Sequence, residues 1–206
     1  MKIYVVGGNH EYANWISNKE FVYTPEKADL VFFTGGEDVD PKIYNKREVG
    51  HCYTNIKRDI AEKNIFDNLR PDQHVIGVCR GSQLLCALNG GNLVQDCSNH
   101  AIYNTHAITN DELVLQITST HHQMQYPFGL PDEYYDILFW AIPSRSNHYY
   151  GDGIQTRLVH AKEPEIVEYH VPGKPKCLAI QGHPEMMEGS QTAKYLDKLL
   201  NEFLQK

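Results

Sequence analysis

The chain has 206 residues, of which 41% are apolar and 22% charged, and a formal net charge of −7. This is the balance of a globular domain rather than a disordered chain, and the length suits a single domain over residues 1–206. The acidic charge and the lack of a Lys/Arg-rich block argue against a nucleic-acid or anionic-membrane partner, and no apolar run approaches the roughly 18–20 residues of a membrane span.

In chain order, the opening MKIYVVGGNHEY reads as a buried strand over IYVV (3–6) rather than a signal peptide. A second apolar run, DLVFFT (29–34), also ends in Gly-Gly, and a third, HVIGV (74–78), ends at Cys79. Continuous apolar runs suit strands covered on both faces, as in a parallel sheet between helices. Between the second and third lies NIKRDIAEKNIFDNLR (55–70), which reads as a helix. Ile56, Ile60 and Leu69 recur at helical spacing, Ile65 and Phe66 widen the apolar face, Asp59 and Lys63 form an i,i+4 pair, and Pro71 marks the stop.

After Cys79, SQLLCALN reads as a helix closed by Gly90-Gly91. The stretches LVLQI (113–117), DILFWAI (136–142), EIVEYHV (165–171) and CLAIQ (177–181) read as strands. A last helix over 190–205 places Ala193, Leu196, Leu200 and Phe203 on one face, with Ser190 as its N-cap. The pattern predicts an α/β domain with a mixed, mostly parallel sheet flanked by helices. Segment 125–153 carries eight aromatics and reads either as a hairpin packed over the sheet or as a lid or docking face.

Five cysteines, an odd count without a CxxC pair, suit a reducing compartment, and the chain is expected in the cytoplasm. Cys86, Cys97 and Cys177 sit in apolar surroundings and read as core. Cys79 differs. In Gly77-Val78-Cys79-Arg80-Gly81 it stands where a strand turns sharply into a helix, between glycines that leave room for the bend. Helix N-terminal amides aimed at a sulfur favour thiolate over thiol, and the same N–H groups can hold an oxyanion. Read alone, the pentapeptide fits a small buried residue at a tight turn equally well.

A nucleophilic cysteine needs a base, and the base needs orienting. Gln181-Gly182-His183-Pro184-Glu185 follows the strand at 177–181 and supplies both. In an extended segment His183 and Glu185 point the same way, so the carboxylate can accept from one imidazole nitrogen while the other faces a thiol. His100, His106, His121 and His122 match no known metal-ligand spacing, so no metal is expected. No cofactor is expected either, because Gly7-Gly8 and Gly90-Gly91 lack G-x-G-x-x-G and a P-loop Lys.

GVCRGSQ (77–83) followed by GHPE (182–185) resembles the class I glutamine amidotransferase-like family, with its flavodoxin-like fold and Cys-His-Glu triad. TGGEDVDPKIY (34–44), KRDIAEKNI (57–65), STHHQ (119–123) and Arg80 after the cysteine resemble the γ-glutamyl hydrolase branch, over about residues 28 to 188. The resemblance implies Cys79 as nucleophile, His183 as acid and base, and Glu185 as the group that orients it. The backbone N–H groups of Gly36 and Arg80 would hold the oxyanion, and Gln83, His121 and Gln123 would lie at the substrate. The Arg80 side chain is expected in a salt bridge with Glu37, Asp38 or Glu62.

The implied reaction is hydrolysis of the γ-glutamyl amide bond of glutamine or a γ-glutamyl amine through a thioester. Two alternatives stay open: a glutaminase subunit that passes ammonia to a separate synthetase, and a binding module that kept the fold. The chain departs from the family near its start. NHEYANWISNKEFVY (9–23) is too short for the strand-and-helix unit that the family carries before its Gly-Gly loop, so one sheet edge or pocket wall is abbreviated.

Overall fold

A computed structural model describes residues 1–154 and 162–205. The first half of the chain gives β1 (Lys2–Val5), β2 (Glu20–Phe21), β3 (Leu30–Phe33), α1 (Ile56–Asp67), β4 (His74–Val78) and α2 (Arg80–Leu88). Next come β5 (Asn92–Val94), β6 (Asp96–Cys97), β7 (Ala101–Thr109), β8 (Val114–Thr120) and β9 (Met124–Tyr126). The chain then adds β10 (Tyr135–Ala141), β11 (Tyr149–Tyr150), β12 (Pro164–Tyr169), β13 (Lys176–Ile180) and α3 (Gln191–Phe203).

Nine of these strands form one mixed sheet in the order β2-β1-β3-β4-β13-β12-β10-β7-β8. The five strands from β2 to β13 run parallel, and the other four join them antiparallel. Alternate side chains of the parallel strands feed two cores. Leu30, Phe32, Ile76, Val78, Leu178 and Ile180 pack with α3, whereas Val31, Phe33, Val75 and Ala179 pack with α1 and α2. Burial on both faces explains the uninterrupted apolar runs of β3 and β4. Ser190 caps α3 by accepting a hydrogen bond from the Ala193 N–H at 3.1 Å. No helix among the described residues is long and apolar enough to cross a membrane.

Three expectations change. The face that α1 buries carries Asp59, Glu62 and Phe66, and Ile60 is left 49% exposed. Lys63 pairs with Asp67 rather than Asp59, because Asp59 is turned inward to a buried cation. Part of the aromatic segment is not a hairpin over the sheet but a strand of it: β10 lies between β12 and β7, with Phe139 in the core. The short stretch after β1 forms one 3₁₀ turn (His10–Ala13) before the edge strand β2.

Candidate active site

Cys79 caps α2 at the end of β4 with φ 53° and ψ −113°, a conformation that side chains other than glycine rarely adopt. Its glycine neighbours serve close approach rather than unusual dihedrals. A Cβ on Gly77 would come 2.4 Å from the Gly81 carbonyl oxygen, and one on Gly81 would come 2.2 Å from that of Phe33. The strand can therefore pass directly into the helix against its neighbours, which projects Cys79 at the sheet edge.

The Cys79 N–H donates to the Ile180 carbonyl at 2.8 Å, so the end of β13 lies beside the cysteine. Three residues on, His183 is fixed by its N–H donating to Thr118 Oγ1 at 2.6 Å, and its Nδ1 lies 2.6 Å from Glu185 Oε1. The pairing is made differently from the extended geometry expected: Pro184–Met187 is a 3₁₀ turn with His183 at its N-cap, and that turn swings Glu185 back to the ring. Cys79 stands close enough to the His183 ring to act on its affinity for a proton. Burial acts to lower the imidazole's affinity for a proton. Interactions with Cys79 and Glu185, their charges included, outweigh it and raise the pKa to about 10.

A histidine whose folded pKa exceeds the ordinary ~6.5 stabilises the fold fully below that pH and loses the contribution as pH rises through about 10. An NMR titration of the His183 ring is expected to show a midpoint near 10 in the native protein and a lower one in Cys79→Ala. An unchanged midpoint would mean that Cys79 is not the ring's charge partner.

One residue beside His183 has no counterpart among the sequence-based expectations. A Cβ on Gly35 would meet Tyr12 Oη at 2.8 Å and His183 Cε1 at 3.1 Å, so the phenol and the imidazole flank this glycine together. Burial, then the charges of Glu185 and Cys79, raise the Tyr12 pKa and keep its proton on the oxygen. Nothing in the pattern around Tyr12 announces this, because the contact spans more than 170 residues of chain.

The Thr34–Glu37 loop is held by Arg58 of α1. Its guanidinium reaches Thr34 Oγ1 at 3.1 Å, the Gly35 carbonyl at 3.0 Å, Glu37 Oε2 at 2.7 Å and Glu62 Oε1 at 2.8 Å. Gly36, at φ 149°, leaves room for that grip, since a Cβ there would fall 2.1 Å from Arg58 Nη1. Arg80, 1% exposed, bonds both Asp59 and Glu62 beneath the loop. Of its three expected partners the structure gives Arg80 Glu62; Glu37 goes to Arg58, and Asp38 to His122 at 3.0 Å. The backbone N–H of Arg80 remains at the helix start, where no intrahelical acceptor is available.

A cavity of about 190 Å³ opens in front of Cys79, lined by Gly36, Glu37, Asp38, Tyr53, Gln83, Thr120, His121 and His122. Gln83 donates through Nε2 to the Gln123 carbonyl at 2.6 Å, and His121 Nδ1 lies 3.1 Å from the same oxygen. Because a carbonyl only accepts, His121 carries its proton on Nδ1. Burial, then the neighbouring His100 and His106, hold its pKa well below the usual value, so the ring is neutral. Gln123 does not line the cavity. Its side chain is fully buried and clasps the Val39 backbone, accepting at 2.9 Å and donating at 3.2 Å. A larger groove of about 500 Å³ runs along the end of α1 past Asn68 and Arg70, and it includes none of these residues.

Comparison with known proteins agrees with this architecture. Residues 17–185 match the family model described as Peptidase C26. The chain is 29% identical over 162 residues to the glutamine amidotransferase-like protein YvdE of Lactococcus lactis subsp. lactis, covering 77% of this chain and 66% of that protein. It is 33% identical over 79 residues to protein NtpR of Enterococcus hirae, covering 36% of this chain and 32% of NtpR. The chain thus spans less than two thirds of the length of these curated relatives. Among solved structures, a GMP synthase subunit protein from Thermoplasma acidophilum superposes with a TM-score of 0.58 at 14% identity, covering 100% of this chain and 98% of that one.

Proposed function

The chain belongs to the peptidase C26 family of glutamine amidotransferase-like proteins, and from that membership we propose that it hydrolyses a γ-glutamyl amide bond through a thioester on Cys79. The observation that carries the reading is His183, paired with Glu185 and raised in proton affinity by Cys79, which stands at the start of α2.

As thiolate, Cys79 Sγ attacks the γ-carbonyl carbon and forms a C–S bond. The oxyanion is stabilised by the N–H groups of Arg80 and Gly36, and one such donor contributes about 10²–10³ in rate. The tetrahedral species collapses with loss of the C–N bond, and His183 gives its proton to the departing amine or ammonia. Neutral His183 then takes a proton from water, whose oxygen attacks the thioester. The C–S bond breaks, glutamate leaves and the thiolate–imidazolium pair returns. Glu185 keeps the ring in the productive orientation throughout.

At about 190 Å³ the cavity is smaller than the roughly 300–1,000 Å³ of pockets for drug-sized ligands, which suits a group the size of an amino acid. Gln83 and His121 line it and are proposed to contact the glutamyl group. Gln123 acts one step behind them, by holding the carbonyl to which both are anchored. The Arg58–Glu62–Arg80–Asp59 assembly beneath the oxyanion loop supports the γ-glutamyl hydrolase reading, in which the protein works alone on a γ-glutamyl amine.

The test is glutamate release by the purified chain from glutamine and from a panel of γ-glutamyl amines, with Cys79→Ala alongside. Turnover of one γ-glutamyl amine by the chain alone is expected, and none by the variant. Negligible turnover of every substrate, with Cys79 still labelled by a glutamine-like electrophile, would instead assign a glutaminase subunit that waits for a synthetase. If Cys79 neither turns over nor labels, the protein is a binding module.

A further inference from the structure

Below the cavity, behind His121, lies a second concentration of reactive side chains that the proposed reaction does not use. Glu163 and Glu165 are both fully buried, at 0% exposure. Among the described residues, neither carboxylate is paired with a Lys or Arg side chain. Their partners are imidazoles, a phenol and backbone N–H groups. His106 Nε2 lies 2.7 Å and His100 Nδ1 3.7 Å from Glu165 Oε1, and one ligand atom from each of these three residues falls within 4.8 Å of the others. The sheet explains the convergence. β7 brings His106, β12 brings Glu165, and β10, which separates them in the sheet, ends at Ala141.

We propose that His100, His106 and Glu165 form a buried binding site for one divalent transition-metal ion, with zinc the best match to a two-histidine, one-carboxylate donor set. Three features point to a ligand rather than to a finished hydrogen-bond network. Among the described residues, His100 Nδ1, Glu165 Oε2 and the neighbouring His121 Nε2 are buried without a hydrogen-bond partner. Native interiors leave few such atoms.

The second feature is how the rings are held from behind. His100 faces Glu163 Oε2 through Nε2 at 3.2 Å, which leaves Nδ1 toward Glu165. Metal-bound histidines are commonly oriented by a carboxylate on their other nitrogen. Glu163 is itself anchored by Tyr149 Oη at 2.6 Å and by the N–H groups of Arg145 and Ser146, each at 2.8 Å. His121, its ring centroid 4.7 Å from that of His100, is likewise fixed through Nδ1 by a backbone carbonyl and presents Nε2 unpaired.

The third feature is charge. Two carboxylates in a dry interior need compensation, and a dication supplies it for both while leaving the imidazoles neutral. Donors of a tetrahedral zinc at ~2.0–2.1 Å stand roughly 3.3 Å apart, so closing on the ion asks for ring movements of about 1 Å. The ion's role would be to tie β7 to β12. Glu165 also accepts a backbone hydrogen bond from Gln181 at 2.8 Å, two residues before His183, so the tie supports the catalytic strand from behind.

The experiment is metal analysis of the purified full chain after expression with added zinc, and the visible spectrum after expression with cobalt. About one equivalent per chain is expected to survive dialysis against a weak chelator, and the cobalt form should show d–d bands without a thiolate charge-transfer band. Glu165→Gln and His106→Gln should each lose at least tenfold in affinity, whereas Cys79→Ser should retain the metal. A stronger chelator should lower the melting temperature of the native protein. Absence of bound zinc and cobalt from folded protein would overturn the proposal, as would metal that follows Cys79 instead of Glu165. If both cluster variants fail to fold, the native protein's metal content and cobalt spectrum decide alone.

Discussion

Cys79→Gly is expected to be inactive yet more stable than Cys79→Ala. Both variants remove the sulfur, so both lose thioester chemistry, and by analogy with nucleophile removal in other triads the loss is on the order of 10⁶ in turnover. They differ in the backbone. With φ at 53° and ψ at −113°, alanine retains the strain that cysteine carries, and glycine relieves it. Such conformations cost about 1–3 kcal/mol, from which the extra freedom of glycine in the unfolded chain subtracts about 0.4–1 kcal/mol. A net difference of about 1 kcal/mol corresponds to ~2–4 °C in melting temperature for a chain of this size. Thermal unfolding of the two variants side by side checks this. Equal melting temperatures would mean that the elbow is not strained, and that the position of the sulfur is maintained by packing alone.

Arg80→Met should be the most destabilising single change near the site. The guanidinium is 1% exposed and is the partner of two carboxylates, Asp59 and Glu62, which the variant would leave buried and unneutralised on that side. Breaking a buried pair in this way costs about 3–5 kcal/mol, a fall of roughly 10 °C. Adding Asp59→Asn and Glu62→Gln to Arg80→Met should restore much of the stability, since the uncompensated charge is then gone. Activity should not return with it. Glu62 also holds Arg58 at 2.8 Å, and Arg58 carries the Thr34–Glu37 loop that presents Gly36. Chemical unfolding and glutamate release measured on the same variants separate the two effects. Recovery of both together would make the assembly a stability element with no part in positioning the loop.

The cluster behind His121 is one that spacing cannot register. His100, His106 and Glu165 come from segments up to 65 residues apart, and no local motif joins them. β7, which carries His106, was not among the expected strands, because AIYNTHAIT exposes its first five residues and shows neither an apolar run nor strict alternation. The α1 surface misled for a related reason. Ile56 and Ile60 have the right period for a buried face, but two buried ion pairs to Arg80 decide which side of the helix turns inward.

What the sequence by itself determined is what neighbouring residues decide between themselves. The runs at 30–33 and 74–78 are apolar on both alternating faces, which requires cover on both sides and hence a layered α/β fold. Gly77 and Gly81 around Cys79 permit one tight turn, and Pro184 between His183 and Glu185 keeps base and carboxylate within one turn of each other. The tertiary structure alone decided the rest: which partner Arg80 takes, that Tyr12 stands beside His183, that Gln123 serves the backbone behind the cavity, and that β7 and the residue before it bring two imidazoles to the buried carboxylates at the start of β12. Such contacts depend on which strands lie side by side and in what register, and for His106 and Glu165 a register shift of one residue would send the side chain to the opposite face.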